Sequence, residues 1–162
     1  HMVDLIRLFG GDFTDVKSFV SNRVWGHDVE DNAYALMQTN DGVVAMLHSS
    51  ASQWRHRFML EIGMTKGAIT LSGILSGSKS YGEETLTITQ AGENDMGDPH
   101  EETTRYNSDP SWSLEVAEFA DAILNGGEIV NGSSLDALKT MELVYKIYCA
   151  DPAWRKMWGL HQ

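Results

Sequence analysis

The chain has 162 residues, 42% of them hydrophobic and 22% charged, with a formal net charge of −11. That size and balance fit one globular domain, 1–162, able to bury roughly 70% of its unfolded surface. The acidic excess excludes nucleic-acid backbones and anionic membrane surfaces, which select Lys and Arg, and the single cysteine, Cys149, excludes a disulfide framework or a thiolate metal cage.

In chain order, the first pattern is an amphipathic helix. Val3, Ile6 and Phe9 recur at three-residue steps with Leu5 and Leu8 beside them, which predicts one buried face. Gly10-Gly11 stops it. No N-cap precedes His1, so the helix is expected to continue a longer chain upstream. Asp15 to Val24 is rich in β-formers and reads as a strand. Asp31 to Gln38 and Val43 to Ser50 flank Thr39-Asn40-Asp41-Gly42, the composition of a tight hairpin turn. Phe58 to Met64 and Ala68 to Leu71 flank Thr65-Lys66-Gly67, a second hairpin. Thr85 to Thr89 alternates Leu86 and Ile88 against threonines, a further strand. Ala91 to His100, acidic and holding Gly92, Gly97 and Pro99, reads as a loop, and Thr103 to Tyr106 as an edge strand.

The period then changes to that of helices. Ser111 or Ser113 can cap a helix with Val116, Phe119, Ala120 and Ile123 on one face, ended by Asn125-Gly126-Gly127. Ser133-x-x-Asp136 caps another, whose stripe is Leu135, Leu138, Met141, Val144, Tyr145 and Tyr148. Asp151-Pro152 ends it, and Trp154 and Trp158 pack from the tail. Cys149, on this apolar helix, is expected to be a buried, inert thiol. Asn131-Gly132-Ser133 matches a glycosylation acceptor but reads as a turn leading to a cap.

This order predicts an α+β fold: a predominantly antiparallel open-faced β-sheet with helices on one face. Several strands are apolar at both parities, as in Ala33 to Met37 and Val43 to Leu47. The second face is therefore expected to be covered by a partner subunit or a domain outside this chain. No signal peptide and no apolar run long enough to span a bilayer is present, so a cytoplasmic protein is expected.

The segment His1-x-x-Asp4-Leu5-x-Arg7-x-x-Gly10, followed by a mainly β region and closing helices, resembles the C-terminal domain of the glucose–fructose oxidoreductase / inositol dehydrogenase (Gfo/Idh/MocA) family. In that family a motif D-x-G-x-H-x-x-D-L opens the substrate domain, and its His sits beside the nicotinamide as an acid/base. The resemblance makes His1 that catalytic group and Asp4 its acidic neighbour; the upstream Asp-x-Gly is not part of this sequence. It also implies an N-terminal Rossmann domain, absent from this chain, that holds NAD or NADP and supplies a Lys near the substrate oxygen. No cofactor is expected on this fragment. Homodimers or homotetramers through the open sheet face are implied as well.

The residues leave alternatives open. His1-Met2 is also the form of an expression-vector scar. Asp4, one turn on, either orients the imidazole or caps the helix. Ser52-Gln53-Trp54-Arg55-His56-Arg57 is a basic, aromatic cluster in an acidic chain; it presents Trp54, Arg55 and Arg57 to a polyhydroxylated or phosphorylated substrate, or is a polar strand end pairing with nearby carboxylates. Gly73 to Gly82 lacks nucleotide-loop spacing and reads as a loop offering Lys79 and Tyr81 to a substrate cleft, or as a solvated hairpin. The six histidines show no metal-ligand spacing. The expected function is the substrate and oligomerisation domain of an NAD(P)-dependent oxidoreductase acting on a sugar, sugar derivative or cyclic polyol, inactive as a fragment. The alternative is a free-standing, non-catalytic module that binds a small molecule or only oligomerises.

Overall fold

The computed structural model describes residues 1–93, 96–130 and 132–161. Asn94 and Asp95 of the expected acidic loop, Asn131 of the acceptor tripeptide, and Gln162 lie outside the described residues. The fold is α+β with antiparallel strands, in two compact units: residues 1–53 with 129–162, and residues 54–128.

The first unit begins with α1 (Met2–Gly10), and Gly11 closes it at φ 86°, its N–H bonded to the Arg7 carbonyl at 2.8 Å. That left-handed conformation suits glycine, which has no Cβ to clash. Strands β1 (Phe13–Ser21), β2 (Asn32–Thr39) and β3 (Val44–Ser50) form a three-stranded sheet in chain order. The β2–β3 hairpin turns at the predicted residues, with Thr39 N–H bonded to the Val43 carbonyl at 3.0 Å. β1 is earlier than its predicted span, starting at buried Phe13 and ending at Ser21.

Pleating separates the two faces of this sheet. Ser18, Ala35 and Leu47 share one rung, and Met37 lies on the same face; all four are buried. Phe19, Tyr34 and His48 form a rung on the other face, Lys17, Leu36 and Met46 the next. That face is open: Phe19 is 79% and Met46 81% exposed.

Two helices close the unit, α3 (Ser134–Ala150) and α4 (Pro152–Trp158). α3 packs on β1, and α1 packs on α3 and β3. Ser133 caps α3 through its hydroxyl, which accepts from Asp136 N–H, as its spacing predicts. The buried side of α3 differs from the predicted stripe. Leu143, Ile147 and Cys149 are buried, whereas Leu135, Leu138, Met141 and Tyr145 are exposed. α3 carries two apolar faces, and periodicity alone does not say which meets the sheet. The same holds for α1, where Ile6 and Arg7 are buried while Leu8 and Phe9 are exposed. The tail is a fourth helix, not a loose end. Asp151 caps it by accepting from Ala153 and Trp154 N–H and also takes the Val20 N–H at 2.8 Å, tying β1 to the α3–α4 junction. Trp154 is buried between Tyr148 and Trp158.

The second unit is a four-stranded meander, β4 (Met59–Met64), β5 (Gly67–Ser72), β6 (Glu84–Gln90) and β7 (His100–Tyr106), followed by α2 (Ser111–Asn125). Two adjacent rungs, Leu60–Leu71–Leu86 and Ile62–Ile69–Ile88, give one apolar face. Thr87 meets Thr103 on the polar face, hydroxyl to hydroxyl at 2.9 Å. The expected cap of α2 by Ser111 or Ser113 is not made: Pro110 is the N-cap residue, and the Ser113 hydroxyl donates to the Pro110 carbonyl. The predicted buried stripe of α2 is also not buried; Val116, Phe119 and Ile123 are all more than half exposed.

Candidate functional site

The sequence-predicted residues fall in both units, and each group is built locally. In the first unit, His1 is the N-cap residue of α1, exposed, its carbonyl accepting the Leu5 N–H at 3.0 Å. Asp4 lies one turn on, acidic in the positive first turn of the helix. Its carboxylate accepts from the Thr140 hydroxyl of α3 at 2.8 Å. Arg7, another turn along, is the hub: one guanidinium nitrogen donates to Thr140 at 2.7 Å and to the Asp136 carboxylate at 3.1 Å, the other to Asp12 at 3.2 Å. The same Asp12 carboxylate takes Lys139 at 2.9 Å. The Lys139 hydrogen bond, then that of Arg7, holds the Asp12 carboxyl below its usual range.

This network fixes the start of α1 against α3 by side chains of opposite charge. Asp4 acts within it as a strut to Thr140, and His1 stands free at the helix tip. The motif contains Arg7 but assigns it no role, and nothing in the sequence marked Thr140. An arginine between Ile6 and Leu8 on an apolar helix, three residues after an aspartate, was the available signal.

In the second unit, the structure brings two separately predicted segments together. The His56 Nδ1 lies 2.9 Å from the Ser80 hydroxyl, and the His56 and Tyr81 rings are tilted against each other at 5.0 Å. Trp54, Arg55 and Arg57 flank this histidine, and Lys79 flanks that serine. Trp54 is 97% exposed, and Arg55, Arg57 and Lys79 are exposed too. The loop starts at Gly73, where a Cβ would sit 1.9 Å from the Glu83 carbonyl oxygen, so only glycine fits that crossing. Within it Lys79 adopts φ 53°, the one non-glycine with positive φ among the described residues. Its N–H bonds to the Ser76 carbonyl at 3.0 Å. The sequence marked His56 within the basic cluster and the serines within the glycine-rich loop, but gave neither a contact role, because no spacing links residues 24 apart; only folding juxtaposes them.

The remaining chemistry is sparse. Among the described residues no three His, Cys, Asp or Glu side chains are placed to hold a metal ion. Cys149 is buried, its thiol 3.9 Å from the His161 carbonyl. Burial, then Glu30, pushes the Tyr148 phenol up to about 12, so it stays protonated at neutral pH. A groove of about 870 Å³ between β1 and α3 is lined by Val16, Leu138, Met141, Tyr145 and Cys149 among others. It contains none of the predicted site residues and follows the exposed apolar side of α3, so we read it as uncovered helix surface. The glycine-rich loop Gly73–Gly82 joins two antiparallel strands and no helix begins from it, so these residues do not fit a dinucleotide cradle. No helix is long and apolar enough to cross a membrane.

The fold is similar to that of solved dehydrogenases. UDP-N-acetylglucosamine 3-dehydrogenase GnnA from Acidithiobacillus ferrooxidans superimposes with a TM-score of 0.71 at 19% identity, over 95% of this chain and 47% of that one. Levoglucosan dehydrogenase in complex with NADH gives 0.74 at 16%, over 94% and 46%. The WlbA dehydrogenase from Bordetella pertussis in complex with NADH and UDP-GlcNAcA gives 0.65 at 14%, over 93% and 40%. This chain spans less than half the length of each. No curated protein matches its sequence. Residues 1–70, which contain α1, the whole three-stranded sheet and most of the β4–β5 hairpin, match the family model of the GFO/IDH/MocA C-terminal domain.

Proposed function

We propose that residues 1–162 form the substrate and oligomerisation domain of an NAD(P)-dependent oxidoreductase acting on a sugar, sugar derivative or cyclic polyol. The observation that carries this reading is the placement of His1-x-x-Asp4-Leu5 on the opening helix of a GFO/IDH/MocA C-terminal domain. The dinucleotide, held by residues outside this chain, would accept hydride from the substrate carbon. His1 takes the hydroxyl proton from that carbon's oxygen, a task suited to a neutral imidazole. Asp4, held by Thr140, keeps the helix tip in place. Trp54, Arg55, Arg57, Lys79 and Tyr81 bind the substrate's polar groups.

The open face of the β1–β3 sheet supports the oligomer. Phe19, Tyr34, Leu36, Val44 and Met46 all lie exposed on it. A second copy related by a two-fold axis would set this face against itself, which makes a self-complementary seam in a dimer or tetramer. A cytoplasmic location accompanies the reading.

The test is turnover of polyols and sugars by the product of the full reading frame with added NAD or NADP. We expect activity there and none from residues 1–162 alone. Replacing His1 by Asn should lower kcat by about 100-fold or more. Turnover unchanged by that substitution would remove His1 from the mechanism; a reading frame that starts at Met2 would make the chain a free-standing module.

A further inference from the structure

We infer that the His56–Ser80 junction is a binding site for the phosphoryl group of a small molecule. This rests on the substrate-domain reading above and names the chemical class that the second unit would take.

Charge supplies the first argument. The chain carries a net −11, yet residues 54–57 and 76–82 hold three cations, Arg55, Arg57 and Lys79, and no acid. Among the described residues none of the three has an ion pair or side-chain hydrogen bond; the ion pairs there use Arg7, Lys17, Arg105 and Lys139. Glu61 stands four residues beyond Arg57, on β4, and the two carboxylates that follow Lys79 are already engaged. Glu83 pairs with Arg105 at 2.9 Å, and Glu84 accepts the Leu75 N–H at 2.6 Å. Three exposed cations without counter-charge, in a protein that repels anions elsewhere, mark the place where an anion is attracted.

Geometry supplies the second. Arg55 and Arg57 are each one residue from His56, and Lys79 is one residue from Ser80. His56 Nδ1 and the Ser80 hydroxyl lie 2.9 Å apart. Neighbouring Cα atoms are about 3.8 Å apart, so all three side chains are anchored one residue from this junction. Hydroxyls supply the third. Ser76, Ser78 and Ser80 form a continuous line, at 3.2 and 2.9 Å, that ends on His56. Each hydroxyl rotates, so the line can turn its donors toward an acceptor. Two guanidinium forks, an ammonium and three hydroxyls match an anion with three or more oxygens better than a two-oxygen carboxylate.

The experiment is a titration of the ¹⁵N-labelled 162-residue chain with pyrophosphate in 0.15 M NaCl, followed by amide and arginine side-chain NMR. We expect saturable shifts at Arg55, Arg57 and Ser76–Tyr81. The double substitution Arg55→Ala/Arg57→Ala should weaken binding about tenfold or more, and Lys79→Gly, which keeps the positive φ, several-fold, with Lys66→Ala unchanged. Spectra of the variants away from the loop report that they remain folded. The inference is overturned by the absence of saturable shifts at these residues up to about 10 mM, by binding indifferent to the arginines, or by glucuronate binding as tightly as pyrophosphate. Any of these leaves the oxidoreductase reading untouched, because none measures turnover.

Discussion

The two units of this chain solve the burial problem to different degrees. Every hydrophobic side chain in the buried core, from Ile6 and Phe13 through Met37 and Leu47 to Ile147 and Trp154, belongs to the first unit. In the second unit the two apolar rungs of the β4–β7 sheet, Leu60–Leu71–Leu86 and Ile62–Ile69–Ile88, are only partly buried, and no residue of α2 is fully buried. A sheet covered by helices on one face has a dry interior; a meander with few covering side chains holds mainly by its ladder and cross-strand pairs. The contrast matches the proposed division of labour. The first unit is a rigid mount for the His1 helix, while the second presents an exposed polar loop.

The largest test of that contrast is a pair of truncations. Met37→Ala, at a side chain 1% exposed, should cost about 3 kcal/mol, whereas Ile62→Ala should cost about 1 kcal/mol. Urea unfolding of both variants measures the difference, and equal losses would show that the second unit is as tightly packed as the first. Arg7→Met comes next, at about 2 kcal/mol. Its own side chain is buried, but Asp4, Asp12 and Asp136 are roughly half exposed and can rehydrate, which caps the loss. Hydrogen exchange should then rise first in α1.

Asp151→Ala should cost about 1 to 2 kcal/mol by removing the cap of α4 and the acceptor for Val20 N–H. Burial pushes this carboxyl up, but the N–H groups of Trp154, Val20 and Ala153 together outweigh it and hold the carboxyl below its usual range. The unfolded state therefore binds the proton first. The stabilisation is complete above about pH 4 and is lost as pH falls through the lowered folded value. Asp151→Asn should flatten that acid limb in unfolding curves taken between about pH 2 and 5, and an unchanged limb would remove Asp151 from the acid sensitivity.

The smallest effect on folding is expected at the open face. Met46→Lys, at a side chain 81% exposed, should change monomer stability by less than about 0.5 kcal/mol yet abolish self-association in sedimentation equilibrium. Persistent dimers in that variant would move the interface elsewhere.

Local signals determined a good part of this protein. Gly10-Gly11, Asn40-Asp41-Gly42, Ser133 with Asp136, and Asp151-Pro152 each impose a conformation through their own backbone or side-chain chemistry, and each stop, turn and cap lies where those residues put it. The opening His1-x-x-Asp4-Leu5 likewise marked the family whose model the first 70 residues match. Tertiary structure decided what no local rule reaches. α3 is apolar on two sides, and only packing on β1 selected Leu143 and Ile147 over Leu138 and Met141. Arg7 is buried because Asp136 and Thr140, more than a hundred residues away, come to meet it. His56 and Ser80 become neighbours only when β4, β5 and β6 pair and bring residues 24 apart within hydrogen-bond distance. Periodicity reports that a face is apolar, and only long-range contacts report what covers it.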